Sequence, residues 1–217
     1  KASDSVRLLI AERKEHAEKL ASSINDLNVR RREFDNKITE EALQMIQQNE
    51  RLLQAKSTVI FNENWHKGVI GIVASRLTDS YYRPTIVLTR SNNLITGSAR
   101  SIKNFDIYDA IDNCSDLLEH FGGHKYAAGL SLKPENLEEF SRRFEEYVAN
   151  NIDKEELIPE LNVDLEINFS DITPKFVRVL KQFSPFGPGN MAPLFLTKNV
   201  VDTGSSRSVG GQDKKHL

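Results

Sequence analysis

The longest uninterrupted pattern in this chain is helical and lies near its N-terminus. No proline or glycine occurs between Glu12 and Gln54, and apolar residues recur there at intervals of three, four or seven, which is typical of an amphipathic α-helix. They are Leu20, Ile24, Leu27, Phe34, Ile38, Ala42 and Met45. Because the apolar stripe is narrow and the other faces are densely charged, we expect residues 1–56 to form a connector helix, or two nearly collinear helices, that packs on other domains.

Beyond residue 56 the pattern changes to short strands that alternate with helices. The expected strands are Ser57–Phe61, Pro84–Thr89, Leu94–Ala99 and Tyr126–Leu132. The expected helices are Gly68–Thr78, Asp106–Glu119, which we expect Gly122 and Gly123 to end, and Pro134–Asn150. This alternation predicts an α/β or α+β fold over residues 57–152, with helices packed on a mixed sheet.

The C-terminal region, residues 153–217, has weaker signals. A strand at Leu161–Ile167, a short helix at Pro174–Gln182 and a strand at Ala192–Val201 predict the opening of a β-rich unit that the chain end truncates. Residues 132–171 carry twelve acidic and four basic side chains, and residues 172–217 carry two and seven. We interpret the acidic run as a solvated face and linker, and the basic tail as a segment suited to a polyanion.

Composition excludes several classes of protein. The 217 residues carry a net charge of -2, and no apolar run approaches the roughly 18 residues that span a bilayer. With no leader segment and a single cysteine, Cys114, we expect a cytoplasmic protein in a reducing compartment, with no membrane partner. Because the chain begins at Lys1 rather than Met, we also expect it to be a piece of a larger protein.

The sequence FGGHKYAAG, from Phe121 to Gly129, is the densest cluster of unusual residues. Its adjacent glycines, Gly122 and Gly123, let the backbone approach a ligand and expose amides that can bind an anion. His124 and Lys125 add donors of complementary charge. The cluster therefore suits a phosphate, while a Gly-Gly helix stop followed by a hydrogen-bonded histidine is the alternative that spacing leaves open.

A second cluster is TGSARS, which ends at Ser101. Ser98, Arg100 and Ser101 lie at the end of a predicted strand. Short hydroxyl donors and a planar guanidinium suit a phosphate or a carboxylate. A surface arginine among small polar residues is the alternative.

A third cluster, WHKGVIGIVASRL, places Trp65 and His66 before a helix that begins at Gly68. The amides of a helix N-terminus, with His66 beside them, can hold an anion. Trp65 could stack on a base or fill the core. We favour the core for Trp65.

Metal and nucleophile patterns are absent from the sequence. His120 and His124 have i, i+4 spacing, but two glycines between them are expected to break the helix that would align them. Aspartates at three- and four-residue spacing are typical of an exposed helix face: Asp106, Asp109, Asp112 and Asp116. With no Ser-His-Asp arrangement visible, we expect no catalytic centre within this chain.

Taken in order, the motifs WHKGVIGIVASRL, YRPTIVL, GSARS, FGGHKYAAG and FSPFGPGN closely resemble the C-terminal half of the RecJ family. This family comprises single-stranded-DNA-specific exonucleases of the DHH phosphoesterase superfamily. The segment LNVRRREFDNKITEEAL in the leading helix resembles the family's interdomain connector. The resemblance therefore covers nearly the whole chain, and five motifs in the family's order are highly specific.

The resemblance implies a DHH-associated, substrate-binding domain at residues 57–152 and a truncated oligonucleotide-binding (OB) β-barrel at residues 153–217. By the same resemblance, Ser98 and Arg100 grip the terminal phosphate of DNA. Gly122, Gly123 and His124 line the cleft near the scissile phosphate. The other candidate phosphate-binding residues are Ser101 and Lys125, followed by Trp65 and His66. The loop SPFGPGN is expected to be structural.

The resemblance also implies a parent hydrolase that degrades single-stranded DNA from its 5′ end in DNA repair and recombination. Two Mn²⁺ or Mg²⁺ ions would be bound by a DHH domain outside this chain, so we expect no metal or cofactor here and no activity from this piece alone. Expected partners are single-stranded DNA and that DHH domain, with a single-stranded-DNA-binding protein or a helicase as further candidates. A phosphodiesterase for short oligonucleotides or cyclic dinucleotides, and a non-catalytic nucleic-acid-binding module, are the alternatives.

Overall fold

The computed structural model describes residues 2–204 and residue 207. The chain divides into two compact units, Lys1–Pro159 and Glu160–Leu217. Within the described residues, no helix combines the length and the apolar character needed to cross a bilayer.

Three helices open the first unit: α1 (Ala2–Leu9), α2 (Lys14–Gln47) and α3 (Glu50–Gln54). With 34 residues, α2 is roughly 50 Å long, so the predicted long helix is confirmed. Its C-terminal half supplies the side chains that pack on the sheet domain, whereas Leu27 and Phe34, further toward its N-terminus, are exposed. The buried residues of α2 are Asp35, Ile38, Ala42 and Ile46.

A five-stranded mixed sheet forms the centre of the first unit. Its strands are β1 (Thr58–Phe61), β2 (Thr85–Ser91), β3 (Leu94–Arg100), β4 (Leu118–His124) and β5 (Ala127–Leu132), in the order β1-β2-β3-β5-β4. β1 and β2 are parallel and are joined through α4 (Ile70–Tyr81), and the other neighbouring pairs are antiparallel. Helices α5 (Ile107–Asp112) and α6 (Leu137–Asn151) follow β3 and β5.

Hydrophobic residues on both faces of the sheet are buried under helices. Ile86, Leu88 and Leu130 pack in one cluster with Phe140 and Phe144 of α6. The opposite face buries other side chains of β1 and β2 against α4 and α2. These are Ile60 and Val87 of the strands, Val73 and Leu77 of α4, and Ile38, Ala42 and Ile46 of α2. The alternation of strands and helices thus gives the predicted α/β arrangement.

The helix predicted over Asp106–Glu119 is shorter than expected. Asp106 caps α5 by accepting hydrogen bonds from the amides of Tyr108 and Asp109, and the helix ends at Asp112. From Leu118 onward the chain pairs with β5 instead. Gly122 and Gly123 therefore lie inside a strand, and the expectation that they end a helix was wrong. Pairing with a strand that comes later in the chain overrides the local helical pattern here.

The described residues of the second unit have little regular structure. A two-residue parallel ladder joins β6 (Leu165–Glu166) to β7 (Phe195–Leu196), and α7 (Pro174–Gln182) has the predicted bounds. The strands predicted at Leu161–Ile167 and Ala192–Val201 are each only two residues long in the structure. Pro193 has no amide to donate to a ladder, and the amide of Leu194 donates to the Asp164 carboxylate. The end of the basic tail, including Lys214 and Lys215, lies outside the described residues.

Candidate nucleic-acid interface

The pairing of three strands brings two of the sequence clusters together. Arg100 of β3 pairs with Ala127 of β5, which pairs with His124 of β4. One step along, Ser98, Gly129 and Gly122 are paired in the same way. Paired residues project to the same face of a sheet. The side chains of Ser98, Arg100 and His124 therefore share one face, with β3 and β4 roughly 10 Å apart across β5.

The same face of β4 and β5 is open. Gly122, His124 and Gly129 are exposed. A Cβ atom at Gly122 would meet nothing within 4 Å, and one at Gly129 would meet only the Gly97 carbonyl, at 3.8 Å. Packing within the protein therefore does not require glycine at either position. Together they leave a strip of bare backbone next to Arg100.

Gly123 differs from its neighbour. Its φ is +152°, and a Cβ atom there would overlap the carbonyl of Ala127 and the Cα of Ala128. The two adjacent glycines of the motif are therefore present for different reasons. Gly123 is required by the β4–β5 hairpin, whereas Gly122 leaves the open face bare.

Arg100 is half-buried and its hydrogen-bond partners are neutral. Its Nε donates to the Ser75 hydroxyl at 3.2 Å. Its Nη1 donates to the Ser98 hydroxyl at 3.0 Å and to the Ala99 carbonyl at 2.7 Å. Within the described part of the chain, no carboxylate pairs with Arg100, and burial lowers the pKa of its guanidinium. A cation held in this way is suited to an external anion.

Arg83, also in the first unit, shows the contrasting structural case. Its Nε donates to the Thr58 hydroxyl, its Nη1 to the Ala55 carbonyl and its Nη2 to the Leu52 carbonyl. All three nitrogens bind groups of the fold, so Arg83 joins the end of α3 to the sheet. The guanidinium of Arg100 is only partly used by its surroundings.

The hydroxyl and imidazole groups near Arg100 differ in what they can offer. Ser98 accepts from Arg100, which leaves its own O–H as a donor. His124 accepts the Tyr126 amide at Nδ1, at 3.2 Å, so the neutral ring carries its proton on Nε2. Ser101 donates its hydroxyl to the Phe105 carbonyl at 2.9 Å. The proton of the Ser101 hydroxyl is therefore already used within the fold.

Lys125 lies at the turn between β4 and β5. Its side chain is exposed, and its ammonium is 5.8 Å from the centre of the Tyr126 ring. Its carbonyl accepts the amide of Ile107 at 3.1 Å, which ties the turn to the start of α5. Lys125 thus remains near His124 as an adjustable positive charge at the edge of the open face.

Trp65 and His66 occupy different environments. Trp65 is 4% exposed within the core beneath α4, and its indole donates to the Glu41 carboxylate at 2.9 Å. It therefore cannot offer a stacking face to a base. His66 is exposed, accepts the Gly68 amide at Nδ1 and stacks on Phe34 with ring centres 6.3 Å apart.

Sequence reasoning missed two residues next to Arg100. Gly71 and Ser75 of α4 lie one helical turn apart, and both face the Ser98–Arg100 pair. Their signal in the sequence is the four-residue spacing of two small residues within the predicted helix Gly68–Thr78. It could have been found because residues four apart lie on one face of a helix.

His120 and His124, which have i, i+4 spacing in the sequence, lie on the strand β4 rather than on a helix. His120 and His124 both lie on the open face, because their partners Ser131 and Ala127 share that face. Four residues of extended strand separate them by roughly 13 Å, which is too far for one ion. Among residues 2–204 and 207, no group of three or more His, Cys, Asp or Glu side chains could hold a metal. The described residues therefore do not fit a metal centre.

Two family models match the chain. The DHHA1 domain matches residues 53–150 and the RecJ OB domain matches residues 163–217. The first range contains the sheet with Ser98, Arg100 and the FGGHKYAAG motif. The second lies within the C-terminal unit.

Similar proteins and structures agree with these models. The chain is 39% identical to a Bacillus subtilis protein named single-stranded-DNA-specific exonuclease RecJ, over 92% of this chain and 25% of that protein. It is 31% identical to the Haemophilus influenzae RecJ, over 98% of this chain and 38% of that protein. The crystal structure of Thermus thermophilus RecJ in complex with Mn²⁺ matches with a TM-score of 0.80 and 28% identity, over 95% of this chain and 31% of that one. The Mg²⁺ complex of the same protein matches with a TM-score of 0.78 and 29% identity, over 89% and 30%.

The two model matches identify a DHHA1 domain, built on the mixed sheet, that is followed by a RecJ OB domain. The chain belongs to the RecJ family. It spans between a quarter and two-fifths of the length of the two curated relatives above.

Proposed function

We propose that this chain is the substrate-binding part of a RecJ-type enzyme that hydrolyses single-stranded DNA in the 5′-to-3′ direction during repair and recombination. In this proposal Arg100 binds the terminal phosphate. The main support is the state of Arg100, a half-buried guanidinium whose partners are two serine hydroxyls and a carbonyl. An anion from outside the chain would supply the missing counter-charge.

The open strip beside Arg100 supports a nucleic-acid strand as the source of that anion. Bare backbone at Gly122 and Gly129 lets a bulky chain approach the sheet closely. The Nε2–H of His124 and the hydroxyl of Ser98 add donors for phosphate oxygens. Relatives named single-stranded-DNA-specific exonucleases support DNA as the strand.

The proposal assigns hydrolysis to residues outside this chain. Its described residues provide no three-ligand metal group, and RecJ structures of Thermus thermophilus were solved with Mg²⁺ or Mn²⁺. We therefore expect this chain to bind DNA without cutting it. Cleavage of DNA by the pure chain in the presence of Mn²⁺ would contradict this division of roles.

Binding of 3′-labelled single-stranded DNA, with and without a 5′ phosphate, tests the role of Arg100. We expect the chain to bind the 5′-phosphorylated strand about tenfold more tightly than the unphosphorylated strand, which is the contribution of one charged hydrogen-bonding group. Arg100→Ala should remove that preference. Arg90→Ala is the matched control, because Arg90 lies on the adjacent strand and pairs with Glu63 at 3.7 Å. An unchanged preference in Arg100→Ala would overturn the assignment.

The length of the DNA separates this proposal from a phosphodiesterase for short oligonucleotides. A strand-binding surface gains affinity as the oligonucleotide grows from three to about twelve nucleotides, and its binding weakens with salt. A site for dinucleotides or trinucleotides would show no gain. Equal affinity at all lengths would therefore favour the alternative.

A further inference from the structure

Ser75 of α4 lies against the guanidinium of Arg100. The Ser75 hydroxyl donates to the Gly71 carbonyl, one turn earlier in the helix, at 3.1 Å. It accepts the Nε–H of Arg100 at 3.2 Å. Since its proton is used inside the helix, Ser75 meets Arg100 only as an acceptor. An acceptor suits the cationic guanidinium. Ser75 therefore has no free proton to donate to a phosphate.

Gly71 creates the space that the guanidinium occupies. A Cβ atom at this position would lie 3.1 Å from Nη2 of Arg100 and 3.1 Å from Oγ of Ser98. Both distances are tighter than ordinary contacts. The planar group of Arg100 therefore lies against a bare stretch of α4, close to the N-terminal end of that helix.

The two contacts determine which nitrogen of Arg100 remains available. The Nε hydrogen is used by Ser75, and Nη1 donates to the Ser98 hydroxyl and the Ala99 carbonyl. In the described part of the chain Nη2 has no hydrogen-bond partner. Because the guanidinium is a rigid planar fork, fixing Nε and Nη1 also fixes Nη2.

We propose that Ser75 and Gly71 are positioning residues for Arg100. Ser75 holds the rotation of the guanidinium, and Gly71 keeps the adjacent space open, so that Nη2 meets the terminal phosphate of the strand. This inference rests on the proposed function of Arg100. It adds that the arginine is ordered before DNA binds, which reduces the entropy lost on binding.

The test is the ratio of affinities for 5′-phosphorylated and 5′-hydroxyl single-stranded DNA. We expect Ser75→Ala to lower this ratio about threefold to tenfold while binding of the 5′-hydroxyl strand is unchanged. Ser75→Thr, which keeps the oxygen, should restore the ratio. If the role of Ser75 were merely structural, Ser75→Ala would weaken the binding of both strands equally.

Ser80 provides the matched control. It lies on the same helix and makes the same bond to the carbonyl four residues earlier, Arg76, at 2.8 Å, but it is exposed and far along the helix from Gly71. Ser80→Ala should keep the wild-type ratio. A ratio lowered equally by Ser75→Ala and Ser80→Ala would overturn the inference, because loss of the helical bond alone would then explain the effect.

Gly71→Ala tests the space beside Nη2. Alanine favours a helix over glycine, so we expect thermal stability to be kept or raised while the affinity ratio falls. A wild-type ratio in Gly71→Ala would overturn the role of Gly71.

Failure of this inference can be distinguished from failure of the proposed function. If Arg100→Ala removes the preference for the 5′-phosphorylated strand and Ser75→Ala leaves it unchanged, the inference is wrong and the function of Arg100 stands. If the wild-type chain binds the 5′-phosphorylated and 5′-hydroxyl strands equally well, the proposed function fails. The ¹⁵N NMR signal of the Arg100 Nε–H still reports the contact in that case, because it should shift and exchange faster in Ser75→Ala.

Discussion

Gly122 and Gly129 face each other across β4 and β5 with no side chain on either. Nothing within 4 Å would obstruct a methyl group at Gly122. The adjacent Gly123 is enclosed by its own hairpin, where a Cβ atom would overlap the backbone of β5. Two consecutive glycines therefore allow the needs of the fold to be separated from those of the ligand.

Gly122→Ala should fold normally and bind DNA less tightly. The new methyl group meets no protein atom, but it would stand where we propose that the strand approaches the sheet. We expect the melting temperature to change little and the affinity for single-stranded DNA to fall about tenfold or more. Thermal unfolding and fluorescence anisotropy on the same sample measure the two effects.

Gly123→Ala serves as the opposite control. The overlap with Ala127 and Ala128 and the positive φ should destabilise the first unit by about 1–3 kcal/mol. A stable Gly123→Ala would contradict the overlap in the hairpin. Full DNA binding by Gly122→Ala would remove the glycine strip from the interface.

Local patterns were sufficient for some elements and not for others. The long helix α2 and the helix α7 could be predicted, because their spacing of apolar residues is a property of a continuous segment. The segment after Asp112 could not, because β4 exists through pairing with β5. Strand pairing is decided by contacts between distant residues, and a local helical signal does not report it.

The candidate site was predictable in residue type but not in arrangement. Arg100 and His124 could each be selected from their motifs, yet only the register through Ala127 places them on one face. Ser101 was selected for the same reason as Ser98, but its hydroxyl is used by Phe105. Such a hydrogen bond depends on how the loop after β3 folds, which the motif does not contain.

Glu145 of α6 should be one of the more important polar residues for stability. Its carboxylate accepts the amides of Lys56 and Ser57 and the hydroxyl of Ser57, at 2.5–2.9 Å. Glu145→Ala would leave these partly buried donors without acceptors. We expect the free energy of unfolding to fall by about 2–4 kcal/mol, measured by urea denaturation.

The neighbouring Glu146 is a suitable comparison for Glu145. It is exposed and pairs with Arg142 at 3.0 Å on the surface of the same helix. Glu146→Ala should change the free energy of unfolding by no more than about 0.5 kcal/mol. Similar losses in the two variants would mean that helix propensity, rather than the bonds to Lys56 and Ser57, accounts for the effect.

The ion pair between Asp35 of α2 and Arg76 of α4 joins the long helix to the sheet domain. Arg76 lies 2.9 Å from a carboxylate whose side chain is only 2% exposed. Asp35 is buried but Arg76 is partly exposed, so Arg76→Ala would leave the Asp35 carboxylate without its partner and should destabilise the fold by about 1–3 kcal/mol. Calorimetry or urea denaturation measures the loss.

A double variant checks the cause of that loss. Asp35→Ala added to Arg76→Ala removes the buried charge and should recover part of the stability, which a double-mutant cycle quantifies. The exposed pair Arg90–Glu63 provides the surface comparison, with an expected loss within about 0.5 kcal/mol for Arg90→Ala. Strict additivity of the Asp35 and Arg76 substitutions would contradict direct coupling between the two helices.

Cys114 should make the stability of the first unit dependent on alkaline pH. Burial raises the pKa of its thiol from 9.0 to about 11. Between these values the unfolded chain releases the proton while the folded chain keeps it. The protonated thiol therefore makes its full contribution to the free energy of unfolding below pH 9. This contribution falls by roughly 1.4 kcal/mol per pH unit as the pH rises toward 11.

Comparison with Cys114→Ala isolates this effect, because lysines and tyrosines titrate alike in both proteins. Urea denaturation from pH 8 to pH 11 should show the wild-type chain losing stability faster than the variant above pH 9. In the same range, alkylation of the sole cysteine should be limited by opening of the core rather than by ionisation of the folded thiol. Parallel stability curves, or rapid alkylation of the folded chain at pH 9, would show that the thiol ionises without unfolding.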